Sequence, residues 1–572
     1  MPDDAPQREH NTEQLLADRR RKLERLRDEF GLDPYGQRID GLITLADAAA
    51  KYDEAADQAN KDNPEVDERP SVRVAGRVMA HRVMGNLIFM RLRDATGDLQ
   101  VAVSKKAVGQ PAFSIAKMTD LSDLVAAAGP LAKTKTGEVT VWATPTAPSE
   151  PGRVAPAPEL PPGSISASNS EPTPEPDQSA SDRADTARLA DPLAPGYAIA
   201  AKSLALPPGK YHGLTDPETR YRKRYLDLYA NPEVMQTMQQ RIAIIDAIRD
   251  YLRGRGFAEV ETPMLQSIHG GAAARPFQTH HNALDMPLYL RIAPELYLKR
   301  LLVGGMPKVF EINRNFRNEG ISPRHNPEFT MLEAYDAFGN WETMAELVED
   351  MICTVAEKVC GGLILNRQDA KGAEKTINLT RPWRRVRMDE LVEERTGWKF
   401  DKEPLPADHH LAAELAPRDP AASGGAKSVA HFQKLSPAEQ LVEVYEKLIE
   451  PTLIDPCFVT HVPSVIIPLA KKNKDDDYFA DVYELAINGV EISPGYTELN
   501  DPAVQEANFR GQVGEKAEQQ QVDEDFLEAL RVGMPPAGGL GLGIDRLVMM
   551  LLGAESIRDV ILFPLMRPVE KL

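Results

Sequence analysis

The sequence predicts an α+β protein: a small Greek-key β-barrel followed by a large domain of mixed helices and strands. Three observations carry this. Residues 70–143 alternate like strands and are broken by turn signals. A proline-rich stretch without aromatic residues then interrupts the pattern. From residue 230 onward helical periodicity and strand-like runs follow one another with no internal repeat.

Residues 1–66 form an N-terminal helical extension. Leu16, Leu23, Leu26 and Phe30 make one apolar stripe over 12–30, and Gly31 is a stop. Arg19, Arg20, Arg21, Lys22, Arg25 and Arg27 make the other face basic, either a solvated face or an arm that touches phosphate. The barrel spans 67–205. Val72, Val74, Gly76 and Val78 alternate with Ser71, Arg73 and Arg77, and further strands are expected at 87–93, 99–103 and 138–142. Such short strands fit a barrel of the OB-fold kind.

Residues 145–196 hold 12 of the 46 prolines, eight acids and three arginines. A segment this poor in apolar side chains cannot offset its ordering entropy and reads as disordered. The strand-like run Tyr197–Leu204 follows, which makes the segment an insert before the last barrel strand. A linker at 206–229 leads into the large domain, 230–572. There Asn231-Pro232 opens a helix striped by Met235, Met238, Ile242, Ile245, Ile248 and Leu252, and a short strand runs 257–262 into Pro263. Residues 361–440 are weakly patterned and read as a helical insertion.

Composition narrows the function. There are 67 basic and 86 acidic side chains, a net charge of −19, which argues against coating nucleic acid by bulk attraction but leaves room for a local patch. Cys353, Cys360 and Cys457 form no C-x-x-C, so neither a disulfide framework nor a cysteine zinc site is expected, and a reducing cytoplasm is the default. No run of 18 apolar residues occurs and the first residues are polar, so no membrane partner and no secretory signal are expected.

Three features carry chemistry. Two alternating runs, 308–316 and 328–337, flank a polar loop with Arg317, Glu319, Arg324 and His325, a tip suited to polyphosphate. Gly538-Gly-Leu-Gly-Leu-Gly-Ile-Asp-Arg546 lets backbone approach a ligand and puts Arg546 in a first helical turn. Its spacing is neither a Rossmann fingerprint nor a Walker A loop. Glu484 and Glu491 flank a turn at Asn488-Gly489 and could meet at one magnesium, or be two surface acids.

Together these elements resemble the class II aminoacyl-tRNA synthetases. The helix, strand and Pro263 look like motif 1, Arg317–Phe329 with its strands like motif 2, and Gly538–Arg546 like motif 3. The class I signatures H-I-G-H and K-M-S-K-S are absent. The strings Gly270–Phe277, Arg291–Arg300 and Tyr496–Asp501 are most similar to lysyl-tRNA synthetases of the bacterial class II type. The resemblance covers about 70 to nearly 570, apart from the insert. It implies an OB-fold anticodon-binding domain and a catalytic domain with a mostly antiparallel sheet flanked by helices. It also implies a cytoplasmic homodimer, with ATP, L-lysine and tRNA(Lys) as substrates and Mg2+, up to three ions per active site, as cofactor.

The resemblance assigns roles position by position. Arg317 would bridge the lysine carboxylate and the ATP α-phosphate, Glu319 would meet the adenine side and His325 the terminal phosphates. Phe329 would stack on adenine, Arg546 would cover the γ-phosphate, and Glu484 and Glu491 would hold magnesium. Gly271 and Glu295, with Glu333 nearby, would take the lysine α-ammonium; Tyr335, Tyr496 and Glu498 belong to the same pocket, with Tyr335 and Glu498 on the ε-ammonium. Arg77, Phe89 and Gln100 fall where this subclass places its anticodon readers. One position departs: Pro494 stands where the family carries Asn, so a hydrogen bond to the substrate carboxylate is missing there. Two other readings are a paralogue that lysylates a protein such as elongation factor P, which would lack the barrel, and a non-catalytic RNA-binding homologue, which would have lost motif residues.

Overall fold

The computed structural model describes residues 5–35, 38–145, 191–207, 214–272, 274–368, 374–406, 409–415, 432, 434–512 and 522–568. The chain divides into two compact units, Met1–Met235 and Gln236–Leu572.

In the first unit six strands form one sheet: β1 (Ser71–Met84), β2 (Leu87–Arg93), β3 (Asp98–Ser104), β4 (Leu124–Lys133), β5 (Val139–Ala143) and β6 (Tyr197–Ala201). They run in the order β1-β2-β3-β5-β4-β6, and β1 also pairs with β4, which returns the sheet to its first strand. Alternation supplies the core: Val72, Val74, Val78, Ile88, Met90, Leu92, Val101, Val103 and Val141 point to one buried cluster. The helix Ala5–Phe30 contributes Leu26 to that cluster. Its basic face is not all solvated. Arg19 is buried and donates to the carbonyls of Ser203 and Leu121, and Lys22 pairs with Asp120 at 2.7 Å. Those two cations dock the helix and are not available to phosphate.

Residues 146–190 of the expected disordered insert lie outside the described residues. Its two ends meet at one residue of β4. The Thr144 N–H donates to the Ala128 carbonyl at 2.9 Å, and the Ala128 N–H donates to the Gly196 carbonyl at 3.0 Å. Excising 146–190 through a short Gly-Ser link should therefore leave the melting temperature close to wild type. Loop closure changes by only ~0.6 kcal/mol per doubling of length. A deletion protein with an unfolded first unit would refute this.

The second unit is built on an eight-stranded sheet. Its strands are β7 (Ala258–Glu259), β11 (Lys308–Phe316), β12 (Glu328–Ala337), β15 (Arg384–Arg387), β16 (Cys457–Thr460), β17 (Val482–Ile487), β18 (Val490–Thr497) and β19 (Ala537–Gly543). The order is β15-β16-β17-β18-β19-β12-β11-β7. Only the two edge pairings, β15–β16 and β11–β7, are parallel, so the sheet is mostly antiparallel as expected. The helices Pro232–Gly254, Trp341–Cys360 and Ile544–Leu552 share with it one core that includes Ile248, Leu332, Ile352, Leu540, Leu542 and Leu547. A small sheet, β8 (Leu265–Gln266), β9 (Phe277–His281) and β10 (Met286–Leu290), stands apart. Where a helical insertion is expected at 361–440, the described residues hold a hairpin, β13 (Ile364–Gln368) with β14 (Glu374–Asn378), then β15, and only then the helices Met388–Thr396 and His410–Leu415.

Candidate active site

A cleft of about 420 Å³ opens over β12, β18 and β19. Its floor explains the glycine run. Gly539, Gly541 and Gly543 alternate with Leu540 and Leu542, so the leucines fill the core while Gly541 and Gly543 line the cleft and Gly539 lies against Glu498 and Tyr335. A Cβ at Gly539 would overlap the Glu498 carboxylate and the Tyr335 ring, and one at Gly541 would press on the Met331 side chain. Side chains from the neighbouring strands thus occupy the space that the glycines leave free. In register, Tyr335 and Tyr496 flank Gly539, and Glu333 faces Gly541.

One half of the cleft is cationic. Arg317, at the end of β11, lies over the Phe329 ring at 5.2 Å, and its buried Nε has no hydrogen-bond partner. Burial pushes its guanidinium below the usual range, while Glu319, Glu333 and Glu491 pull the other way. Arg546 comes from the helix that follows β19. Its Nη1 donates to the Glu491 carbonyl at 3.1 Å, and its Nη2 lies 3.1 Å from His325 Nε2. Since Nε2 accepts there, the imidazole proton sits on Nδ1 and is donated to Ser322 Oγ at 2.8 Å. Burial, with Arg546 and Arg324 nearby, pushes His325 below its ordinary pKa and keeps it neutral. Arg324 donates to the Gly489 carbonyl at 3.3 Å, and the Ile557 N–H donates to Pro323 O at 2.7 Å, so the loop is held at both its flanks.

The other half is acidic and buried. Glu295 opens the helix Glu295–Val303, with Gly271 against it at a φ of +86°, where a Cβ would stand 3.2 Å from the Cβ atoms of Ala293 and Glu295. Glu333 is fully enclosed; burial and repulsion from Glu295 raise its pKa to about 8, against a Tyr335 hydroxyl that donates to it at 3.1 Å. Glu498 is 1% exposed, and burial lifts it to about 7 in spite of Lys299. Lys299 Nζ sits 2.7 Å from Glu295 and 2.5 Å from Glu498, and these carboxylates keep it charged although it is 0% exposed. Glu498 Oε1 has no hydrogen-bond partner. A buried carboxylate oxygen without a donor is costly, and an incoming ammonium would satisfy it.

Of the residues singled out from the sequence, Gly271, Glu295, Arg317, Glu319, His325, Phe329, Glu333, Tyr335, Glu491, Tyr496 and Arg546 all line this one cleft. Glu498 stands behind Gly539 and Tyr335 rather than on the wall. Glu484 is not on the wall either, but it pairs in register with Pro494, which is. Burial, then repulsion by Glu491, Glu446 and Glu450, holds Glu484 well above the carboxylate range. Burial and Glu491 raise Glu450 to about 7, and the Tyr445 hydroxyl, buried beside these acids, has no partner.

This geometry can be set beside known proteins. The family described as "tRNA synthetases class II (D, K and N)" matches residues 216–567, and the one described as "OB-fold nucleic acid binding domain" matches 72–144. The Lysine--tRNA ligase of Carboxydothermus hydrogenoformans is 42% identical over 97% of this chain and 98% of its own length. That of Pelotomaculum thermopropionicum is 42% identical over 99% and 97%, and that of Bacillus subtilis 40% identical over 98% and 99%. The chain belongs to the class II tRNA synthetases.

The OB-fold of this synthetase places its three candidate readers unequally. Phe89 faces Ala102 and Arg91 faces Gln100, so Phe89 and Gln100 lie in adjacent cross-strand rows of the face opposite the core. The Gln100 amide donates to Thr140 Oγ1 at 3.0 Å. Arg77 lies farther along, opposite Arg93; its guanidinium donates to the Ser122 carbonyl and stacks on the Tyr229 ring at 4.6 Å. It is already engaged. Sequence reasoning missed Lys299 and the pair Arg241–Asp545, which at 2.6 Å ties the motif 3 helix to the motif 1 helix. A signal for Lys299 existed: it stands four residues after Glu295 on one helical face.

Proposed function

We propose that this synthetase joins L-lysine to ATP as lysyl-adenylate and transfers the lysyl group to the 3′ end of tRNA(Lys). The observation that carries the choice of lysine is the buried set Glu295, Glu333 and Glu498, of which Lys299 pairs the first and last while Glu333 has only a tyrosine hydroxyl as hydrogen-bond donor. Such a site favours a substrate with two ammonium groups. A neutral isostere leaves a carboxyl unpaired, and an acidic amino acid is repelled. Gly271 and Glu295, with Glu333, take the α-ammonium, while Tyr335 and Tyr496 line the ε end and Glu498, set behind Gly539 and Tyr335, supplies its orphan oxygen from below. The apolar wall at Pro494 gives the substrate carboxylate no donor, which leaves Arg317 as its partner.

The lysine carboxylate is ionised at neutral pH and needs no general base. Catalysis then consists of in-line placement and of neutralising charge on the α-phosphoryl group and the departing pyrophosphate. Arg317 does this at the α-phosphate, and Arg546 with His325 at the outer phosphates, while Phe329 stacks on adenine beside Glu319. Glu484 and Glu491 suit magnesium: both are oxygen donors, and their mutual repulsion is what a divalent cation relieves. Among the described residues no three His, Cys, Asp or Glu side chains form a metal site, and an ion held by Glu484 and Glu491 would take its remaining ligands from phosphate oxygens and water. Bound there, Mg2+ supplies charge neutralisation on the phosphates.

Phe89 and Gln100, with Arg77 once released, read the anticodon. The motif 1 helix joins two subunits, and its Ile242, 60% exposed, supplies apolar surface for that contact. Among the described residues no helix is long and apolar enough to cross a membrane. The OB-fold and relatives matched over nearly their whole length disfavour a protein-lysylating paralogue. Charging of tRNA with lysine, aspartate and asparagine in parallel tests the reading; charging with either of the latter two in preference to lysine would refute it.

The raised carboxyls add a pH dependence. Glu333, near 8, and Glu498, near 7, carry protons in the empty site that an ammonium expels. Lysine affinity should therefore climb from pH 6 to pH 8, by up to about tenfold per pH unit per carboxyl where that carboxyl is protonated in the free site. Calorimetry in buffers of different ionisation heat reads the proton release directly. Affinity that stays flat from pH 6 to 8 would show that these carboxyls do not meet the ammonium groups.

A further inference from the structure

Beside Phe89 stands an aromatic residue that the anticodon assignment does not use. Phe89 on β2, Ala102 on β3 and Trp142 on β5 are consecutive partners across the sheet, so they form one row on the face opposite the core. Their neighbours Ile88, Val103 and Val141 fill the core instead. The two rings meet edge to face, 6.2 Å between centroids and 79° between planes, and Ala102 between them is fully covered. Trp142 as a whole is only half-buried, although its indole N–H is buried and has no hydrogen-bond partner. Arg82, opposite Phe89 in the same row, is exposed.

We propose that Trp142 is a second base-stacking residue, which extends the Phe89 platform so that two neighbouring unpaired bases of the tRNA anticodon loop are held. This rests on the reading of Phe89 as an anticodon contact. A packed tryptophan of a barrel points inward, whereas this one points outward beside another ring, with a cation at the end of the row for phosphate. Every base has a π-face, so such a platform suits single-stranded RNA. Rings so close to perpendicular leave no slot between them, so the second base stacks beside the first rather than between the two side chains.

The test uses the full-length protein and an RNA hairpin with the lysine anticodon UUU in its loop. The chain has four tryptophans, and the other three, Trp341, Trp383 and Trp398, belong to the second unit. The hairpin should quench tryptophan emission, and Trp142→Phe should abolish the quench while keeping affinity near wild type. Trp142→Leu keeps apolar bulk without a ring and should weaken hairpin binding about tenfold, with lysine-dependent ATP–pyrophosphate exchange unchanged. A quench that survives in Trp142→Phe, or no quench at all, overturns the inference. If Phe89→Ala weakens binding and Trp142→Leu does not, Trp142 is only a packing residue and the anticodon reading stands. If neither substitution weakens binding, the anticodon reading itself falls, and this inference with it.

Discussion

Arg317→Ala should lower lysine-dependent ATP–pyrophosphate exchange by about 10²–10³-fold or more, the loss expected when a charge-assisted donor used in the transition state is removed. The protein should remain folded. Arg317 makes no ion pair among the described residues, and its buried Nε is without a partner, so its removal costs the fold little beyond its stacking on the Phe329 ring. What is lost is the one cation placed between the acidic half of the cleft and the cationic half. Arg317→Lys should recover little, because a point charge cannot contact carboxylate and phosphate together as a planar fork does. Exchange near the wild-type rate in the alanine variant, with its melting temperature retained, would remove Arg317 from the chemistry.

Glu498→Gln should raise the KM for lysine by about 10²-fold, because a charge-assisted contact worth some 2–3 kcal/mol becomes a neutral one. Lys299 keeps Glu295 as a partner at 2.7 Å, so the variant does not leave a buried cation alone. The comparison with Phe89→Ala is decisive. Phe89→Ala should weaken tRNA charging about tenfold and spare exchange, whereas Glu498→Gln should strike exchange first. Glu498→Gln with an unaltered KM for lysine would move the specificity to other groups, and Pro494 would be the first position to re-examine.

Much of this site is legible in the sequence because its chemistry is concentrated in short strings. Arg317, Glu319, His325 and Phe329 crowd one hairpin tip, and Gly539, Gly541 and Gly543 alternate with leucines as only a strand with one closely approached face would. Long-range pairing is less visible. Lys299 reads as an ordinary helical lysine until Glu498, nearly 200 residues later, is folded against it. Arg19 and Lys22 look like part of a solvated stripe, yet Ser203, Leu121 and Asp120 bury or pair them from distant segments. The hairpin β13–β14 is hidden because Leu365 and Ile377 are its buried side chains, set among Arg367, Glu374 and Lys375. Trp142 passes for a core residue because alternation alone does not say which face of a strand is inside.

The strand β19 has a consequence for inhibition. Its leucines are pinned by the core behind them, and Gly539 by the side chains of Glu498 and Tyr335 in front. Change is costly at these positions: a Cβ at Gly539 collides with the Glu498 carboxylate and the Tyr335 ring, and cutting a core leucine to alanine costs about 2–5 kcal/mol. A drug that rests on the backbone of this strand would therefore touch a surface with almost no mutational freedom. Escape variants would have to arise on the loops and side chains around it, where the enzyme can still trade one residue for another.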